Sequence, residues 1–174
     1  MHSAADLSEQ ISTAGFEASG TSNMKFGLNG ALTIGTMDGA NVEMCERVGA
    51  ENMFIFGLSS QQVEARQRSG DFNAAPDVAA SHRLNDVLQA IRSGVFSHDD
   101  PARYTAMIDS LINYDRFLVC ADFDSYWAAQ MRVEHLWHDK DAWWRTSVLN
   151  TARMGWFYSD RTIREYATEI WKAL

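Results

Sequence analysis

Two short, continuously apolar runs stand out from an otherwise mixed sequence, at residues 31–36 and 53–56. Each is too short for a helix and is bounded by glycine or a turn, which predicts strands buried on both faces of a parallel sheet. Between them, Asp38-Gly39 predicts a turn and 41–48 a helix, so 31–56 reads as one βαβ unit. Upstream, residues 7–11 predict a short helix or turn ending near Gly15, with Asp6 or Ser8 as its cap. Small polar residues then give way to Met24, Lys25, Phe26 and Leu28, the order of a loop entering a helix. Thr21, Ser22 or Asn23 would cap that helix, and Asn29-Gly30 would close it.

After Gly57 the pattern becomes helical almost throughout. Ser59 or Ser60 caps a helix running to about Arg68, and Leu84, Val87, Leu88 and Ile91 form an i, i+3, i+4, i+7 stripe. Asp100-Pro101 predicts a cap and first helical residue, with Tyr104, Met107, Ile108 and Leu111 facing inward behind it. Residues 117–120 read as a third short strand, followed by helices at about 123–138, 140–153 and 160–173. The last carries Ile163, Tyr166, Ile170, Trp171 and Leu174 on one stripe. Residues 70–80, with Pro76, read as a mobile loop. The fold class is therefore α/β, with short parallel strands in 1–57 and a mainly helical 58–174.

Composition narrows the function classes. A net charge of −8 opposes nucleic acid as the main partner, because phosphate backbones demand basic surfaces. No apolar segment approaches the ~20 residues of a membrane span, and Met1-His2-Ser3 leads into polar sequence without a signal-peptide pattern. Cys45 and Cys120 have no C-x-x-C spacing, which fits buried thiols in a reducing, cytoplasmic setting.

The stretch Glu17-Ala18-Ser19-Gly20-Thr21-Ser22-Asn23-Met24-Lys25-Phe26 carries the candidate chemistry. The first amides of a helix lack internal partners and sit at the positive end of its dipole, and Gly20 lets the backbone come close. That makes a phosphate cradle, with Lys25 about one turn further on. Lys25 is one of three lysines against twelve arginines. Between Met24 and Phe26, partial burial would lower its pKa and free the amine for carbonyl chemistry. A phosphate cradle beside such a lysine is what a pyridoxal phosphate site needs. The competing reading is an ordinary loop–helix junction with a solvated lysine, and the spacing is not that of a Walker A loop.

Other clusters read as structural. His135 and His138 share a helix face without a third ligand, so no metal site is assigned. Trp137, Trp143, Trp144, Trp156 and Trp171 have helical spacing and read as core and inter-domain packing. Asp122 with Asp124, and Asp99 with Asp100, read as helix caps.

The run Ala4-Ala5-Asp6-Leu7-Ser8-Glu9-Gln10-Ile11-Ser12-Thr13-Ala14-Gly15 and the stretch after it resemble the cofactor-lysine region of the glycogen (α-glucan) phosphorylases. The resemblance continues through Asn29-Gly30-Ala31-Leu32-Thr33-Ile34-Gly35-Thr36 and Asp38-Gly39-Ala40-Asn41-Val42-Glu43, and more loosely through Ser159-Asp160-Arg161-Thr162-Ile163. It implies a Rossmann-like domain of the GT-B type. The implied activity is phosphorolysis of terminal α-1,4-glucosyl units to glucose 1-phosphate, with pyridoxal phosphate as cofactor. Lys25 matches the lysine that carries the cofactor, and Thr21 and the Ser22 amide match positions holding its phosphate. Ser22 stands where many members have glycine, and Phe16 replaces a usual polar residue. Glu17, Ser19 and Gly20 match contacts to the glucosyl hydroxyls, and no catalytic residue is assigned.

The family is several times longer, and its residues gripping the substrate phosphate align before residue 1. The resemblance therefore implies a C-terminal piece of the cofactor-binding domain, inactive alone, from a truncated frame or an excised segment. Its partners would be α-glucan, inorganic phosphate and the preceding domain of a homodimeric parent. The alternative is a non-catalytic piece that docks on a phosphorylase.

Overall fold

A computed structural model describes residues 4–173. Three strands, β1 (Leu7–Gln10), β2 (Leu32–Thr36) and β3 (Phe54–Phe56), form a parallel sheet in the order β1-β2-β3. Leu7 pairs with Leu32 and Gln10 with Gly35, while Ile34 pairs with Phe54. Helix α1 (Ser22–Leu28) joins β1 to β2, and α2 (Ala40–Val48) with a 3₁₀ turn (Ala50–Asn52) joins β2 to β3. Every residue of β2 is buried, as its unbroken apolar run predicts for a central strand.

β1 corrects the helix or turn expected at residues 7–11. Leu-Ser-Glu-Gln has no apolar alternation to announce a strand, and pairing with β2 decides its conformation instead. Only Ser8 is fully buried there, while Leu7 packs on the core beneath the sheet.

The helices α3 (Ser60–Ser69), α4 (Ala75–Ala80), α5 (His82–Arg92), α6 (Thr105–Asn113), α7 (Val119–His138), α8 (Lys140–Arg153) and α9 (Ser159–Glu165) follow. One face of the sheet packs Leu32, Ile34, Phe54 and Phe56 against Ala129 and Val133 of α7 and Trp143 of α8. A second cluster joins Met44 and Val48 of α2 to Met53 and Met154. The sheet is thus covered on both faces, as parallel sheets require. A third cluster (Leu84, Leu88, Ile108, Cys120) ties α5, α6 and α7 together.

Ser59 caps α3 as expected. Its Oγ accepts from Gln62 N at 3.3 Å while its own amide donates to Gln62 Oε1 at 2.9 Å. Four other expectations fail for local reasons. Residues 117–120 are not a strand, because Leu118 turns into the left-handed region at φ 55 and α7 starts at Val119. Asp115 drives that start by accepting from Val119 N at 2.9 Å and Cys120 N at 2.7 Å. Of residues 70–80, expected as a loop, 75–80 form α4 and only 71–74 lack regular structure. Pro76 opens α4, and Asp77 holds α3 through Arg66 at 2.7 and 2.9 Å. Pro101 lies in turns and α6 begins only at Thr105, so Ile108 is buried while Met107 is exposed. Val87 likewise faces solvent beside buried Leu84 and Leu88.

The last helix is shorter than expected, because α9 gives way to a π turn at Tyr166–Ile170. Its stripe of Ile163, Tyr166, Ile170 and Trp171 is exposed, and Leu174 lies outside the described residues. Among the tryptophans, Trp143 is core, whereas Trp137, Trp144 and Trp171 are exposed. Trp156 lies between the guanidinium groups of Arg47 and Arg161, 3.5 and 3.8 Å from its ring centroid.

Candidate functional site

β1 and β2 end at Gln10 and Thr36, and the segment 11–21 leads from the carboxyl end of β1 into α1. That edge is where open parallel sheets bind ligands. A small cleft there is lined by Gln10, Ser12, Glu17, Asn23, Thr36, Asp38 and Asn41.

All the residues singled out from sequence lie on this segment and the first turn of α1. Thr21 is the N-cap residue by backbone only, for its hydroxyl makes no cap bond. Ser22 starts the helix, and its Oγ donates to Gln10 Oε1 at 3.4 Å. The Met24 amide is taken by the Asn23 side chain at 2.9 Å, and that of Lys25 by the Thr21 carbonyl at 3.2 Å. The amides of Ser22 and Asn23 have no partner among the described residues. Gly20 takes φ 80, where a side chain would be strained.

Lys25 is exposed, which corrects the expected partial burial. Residues one apart on a helix point about 100° apart, so Met24 and Phe26 cannot enclose it. Its ammonium enters no ion pair among the described residues. Glu17 is also exposed, and its carboxylate accepts long bonds from Ser19 N at 3.4 Å and Ser12 Oγ at 3.5 Å. The donor set of two amides, two hydroxyls and one amine suits a phosphate monoester bearing a carbonyl group.

Residues assigned no role in the site from sequence hold this segment. Asp38 Oδ2 accepts from Phe16 N at 3.1 Å and Glu17 N at 2.7 Å. Buried Asn23 donates from Nδ2 to Asn41 Oδ1 at 2.8 Å, and Asn41 Nδ2 donates to the Thr36 carbonyl at 2.9 Å. Thr36 Oγ1 donates to the Ser12 carbonyl at 2.7 Å. The sequence showed Asp38-Gly39 only as a turn, because its partners lie about twenty residues upstream.

The sequence matches the carbohydrate phosphorylase family over residues 1–173. The chain belongs to the carbohydrate phosphorylase family. It is 53% identical over 171 residues to the glycogen phosphorylase of Synechocystis sp., covering 98% of this chain and 20% of the relative. It is also 53% identical over 170 residues to the brain-form glycogen phosphorylase of Bos taurus, covering 98% of this chain and 20% of the relative. With the glycogen phosphorylase of Haemophilus influenzae the identity is 49% over 169 residues, again covering 20% of the relative. The chain thus spans about a fifth of the length of the curated relatives it matches. Phosphorylases as a family use pyridoxal phosphate, and the donor set at the start of α1 fits that group.

The remaining clusters serve structure. Exposed His135 and His138 lie in the last turn of α7, and the described residues contain no group of three metal-binding side chains. Asp122 and Asp124 are not caps as expected. Asp122 accepts from Leu58 N at 2.8 Å, and Asp124 accepts from Ser81 Oγ at 2.9 Å. Asp100 accepts from Ala102 N at 3.2 Å, and Asp99 pairs with Arg103. Cys45 is half-buried rather than buried, whereas Cys120 is buried, with its thiol pushed up to about 12 by burial and by Asp115. No helix among the described residues is long and apolar enough to cross a membrane.

Proposed function

We propose that this chain is the cofactor-anchoring segment of an α-glucan phosphorylase. That enzyme would cleave terminal α-1,4-glucosyl units with inorganic phosphate to give glucose 1-phosphate, as a cytoplasmic homodimer. One observation supports this above the rest. Lys25, Thr21, Ser22, Glu17, Ser19 and Gly20 lie together at the carboxyl end of β1 and β2, in a chain 53% identical to glycogen phosphorylases.

In this reading the Lys25 amine anchors pyridoxal phosphate, and the Thr21 hydroxyl with the Ser22 amide holds its phosphate at the helix start. When bound there, pyridoxal phosphate would supply a phosphate group able to serve as proton donor and acceptor, with Lys25, Thr21 and Ser22 as the residues that would hold it. Glu17 accepts from two glucosyl hydroxyls and the amides of Ser19 and Gly20 donate back, which fixes the sugar where positive charge develops. Lys25 is therefore an anchor, and its amine is not the catalytic base.

The test is reduction with borohydride in the presence of pyridoxal phosphate, followed by peptide mapping. Label is expected on the peptide containing Lys25. Label on Lys140 or Lys172 with none on Lys25 would overturn the assignment. Lys140 is already engaged, with Nζ 3.0 Å from the Trp137 ring centroid.

A second reading, a non-catalytic piece that docks on a phosphorylase, draws support from exposed apolar side chains beside β1, namely Ile11, Phe117 and Val119. Co-sedimentation with the Synechocystis enzyme, without any label on Lys25, would favour it.

A further inference from the structure

Glu17 has no strong bond of its own to aim its carboxylate, since its two side-chain contacts are 3.4 and 3.5 Å long. Its direction is set by the backbone, and the turn between β2 and α2 grips that backbone. Asp38 Oδ2 accepts from Glu17 N at 2.7 Å and Phe16 N at 3.1 Å. Phe16 N also donates to the Thr13 carbonyl at 3.0 Å, so among the described residues Glu17 N depends on Asp38 alone.

The next residues of the same turn close the grip from the other side. Ala40 N, the first amide of α2, donates to the Ser19 carbonyl at 2.5 Å. Gly39 between them has φ 50, and a Cβ there would lie 2.6 Å from the Ser19 carbonyl oxygen and 2.9 Å from Glu17 Cγ. At Gly39 the turn therefore leaves no room for a side chain against residues 17–19. Bonds donated to a carboxylate are the strong ones, so Asp38 is the firmer half of the grip.

We infer that Asp38 is a positioning residue for the glucosyl contact. It touches no sugar, and it acts by fixing the amides that aim Glu17. The inference rests on the reading of Glu17 proposed above.

The experiment follows amide exchange and chemical shifts in the ¹⁵N-labelled chain, with glucose 1-phosphate as the probe. Asp38→Ala should speed exchange at Glu17 roughly tenfold or more, and less at Phe16, which keeps its second acceptor. It should also remove the sugar-dependent shift at Glu17, while the amides of β2 keep their protection and Lys25 still takes the reductive label. Asp38→Asn retains a neutral acceptor and should recover most of both signals.

A purely structural Asp38 would loosen β2 and α2 together and give both variants the same loss. That result overturns the inference, as does an unchanged Glu17 shift in Asp38→Ala, which would leave the sugar contact standing. Absence of any shift at Glu17, Ser19 or Gly20 in the unaltered chain instead overturns the sugar contact itself, and the inference with it. Should Asp38→Ala not fold, Asp38→Asn still decides. A selective, roughly twofold to fivefold faster exchange at Glu17 supports the tether, and no change refutes it.

Discussion

Asp122 carries a carboxyl group into the first turn of α7, where it accepts from Leu58 N at 2.8 Å. Burial raises its pKa above the ordinary carboxylate range, with Asp115 adding to the rise and the Leu58 amide opposing it. The folded chain therefore holds this proton to higher pH than the unfolded chain does. Its contribution is fully present below the unfolded value near ~4 and is lost as pH rises through the folded one. Asp122→Asn keeps an acceptor for Leu58 with no charge to bury. Urea unfolding from pH 4 to 7 should show the variant gaining on the unaltered chain as pH rises. A gap that does not vary with pH would mean the carboxyl is not desolvated. Asp122→Ala should cost about 1–3 kcal/mol at pH 4, because it leaves the part-buried Leu58 amide unpaired, and that cost should shrink as pH rises. None of this was legible in the sequence, where Asp122 stood simply as an acid before a helix. The six residues of the proposed cofactor and sugar site could be nominated from sequence alone because they fall within one short stretch, residues 17–25. Their tether, Asp38, was not, because parallel crossover topology alone brings it beside Glu17.

Elements show the same division. β2 and β3 were legible because burial on both faces writes an unbroken apolar run. β1 was not, because an edge strand with Glu9 and Gln10 in it takes its conformation from its neighbour. Glu9 also accepts from Tyr126 at 3.2 Å and Gln130 at 2.7 Å, bonds to α7 that no local pattern foretells. The C-terminal segment is the clearest case of helical periodicity without burial. α9 packs chiefly on the 3₁₀ turn Met154–Phe157 and the π turn after it. Trp156 ties this end to α2, stacked between Arg47 and Arg161 while its carbonyl accepts from Arg161 Nε at 2.5 Å. Each cation–π contact is worth about 0.5–1 kcal/mol at such a partly exposed site. Trp156→Ala should therefore raise the local opening of the segment about tenfold. Limited proteolysis should show faster cleavage between residues 159 and 171 with the sheet intact. Equal acceleration across the whole chain would mean that Trp156 belongs to the global core.

At the scale of the whole molecule, the three-stranded sheet has β1 at one border, and no described strand pairs with its outer side. Just past the carboxyl end of β1, Ile11 is 64% exposed and shares a groove with Phe117, 54% exposed, and Val119, 52% exposed. An unpaired strand edge next to apolar side chains is a template for other chains. The site shares this border: Ser12 and Thr13, directly after β1, line a groove with Ile11, Phe117 and Val119. In the proposed reading, a chain spanning a fifth of its relatives' length would supply the cofactor with a lysine and part of a phosphate cradle. Catalysis of phosphorolysis needs the sugar, phosphate and cofactor held together and shielded from solvent. The chain alone is therefore expected to release no measurable glucose 1-phosphate from glycogen, to hold pyridoxal phosphate only weakly, and to associate with itself. Sedimentation should show mass rising with concentration. Ile11→Lys, which places a charge on the border, should shift the population toward monomer without altering the reductive label on Lys25. A purified monomer holding stoichiometric cofactor and turning over glycogen would overturn this expectation.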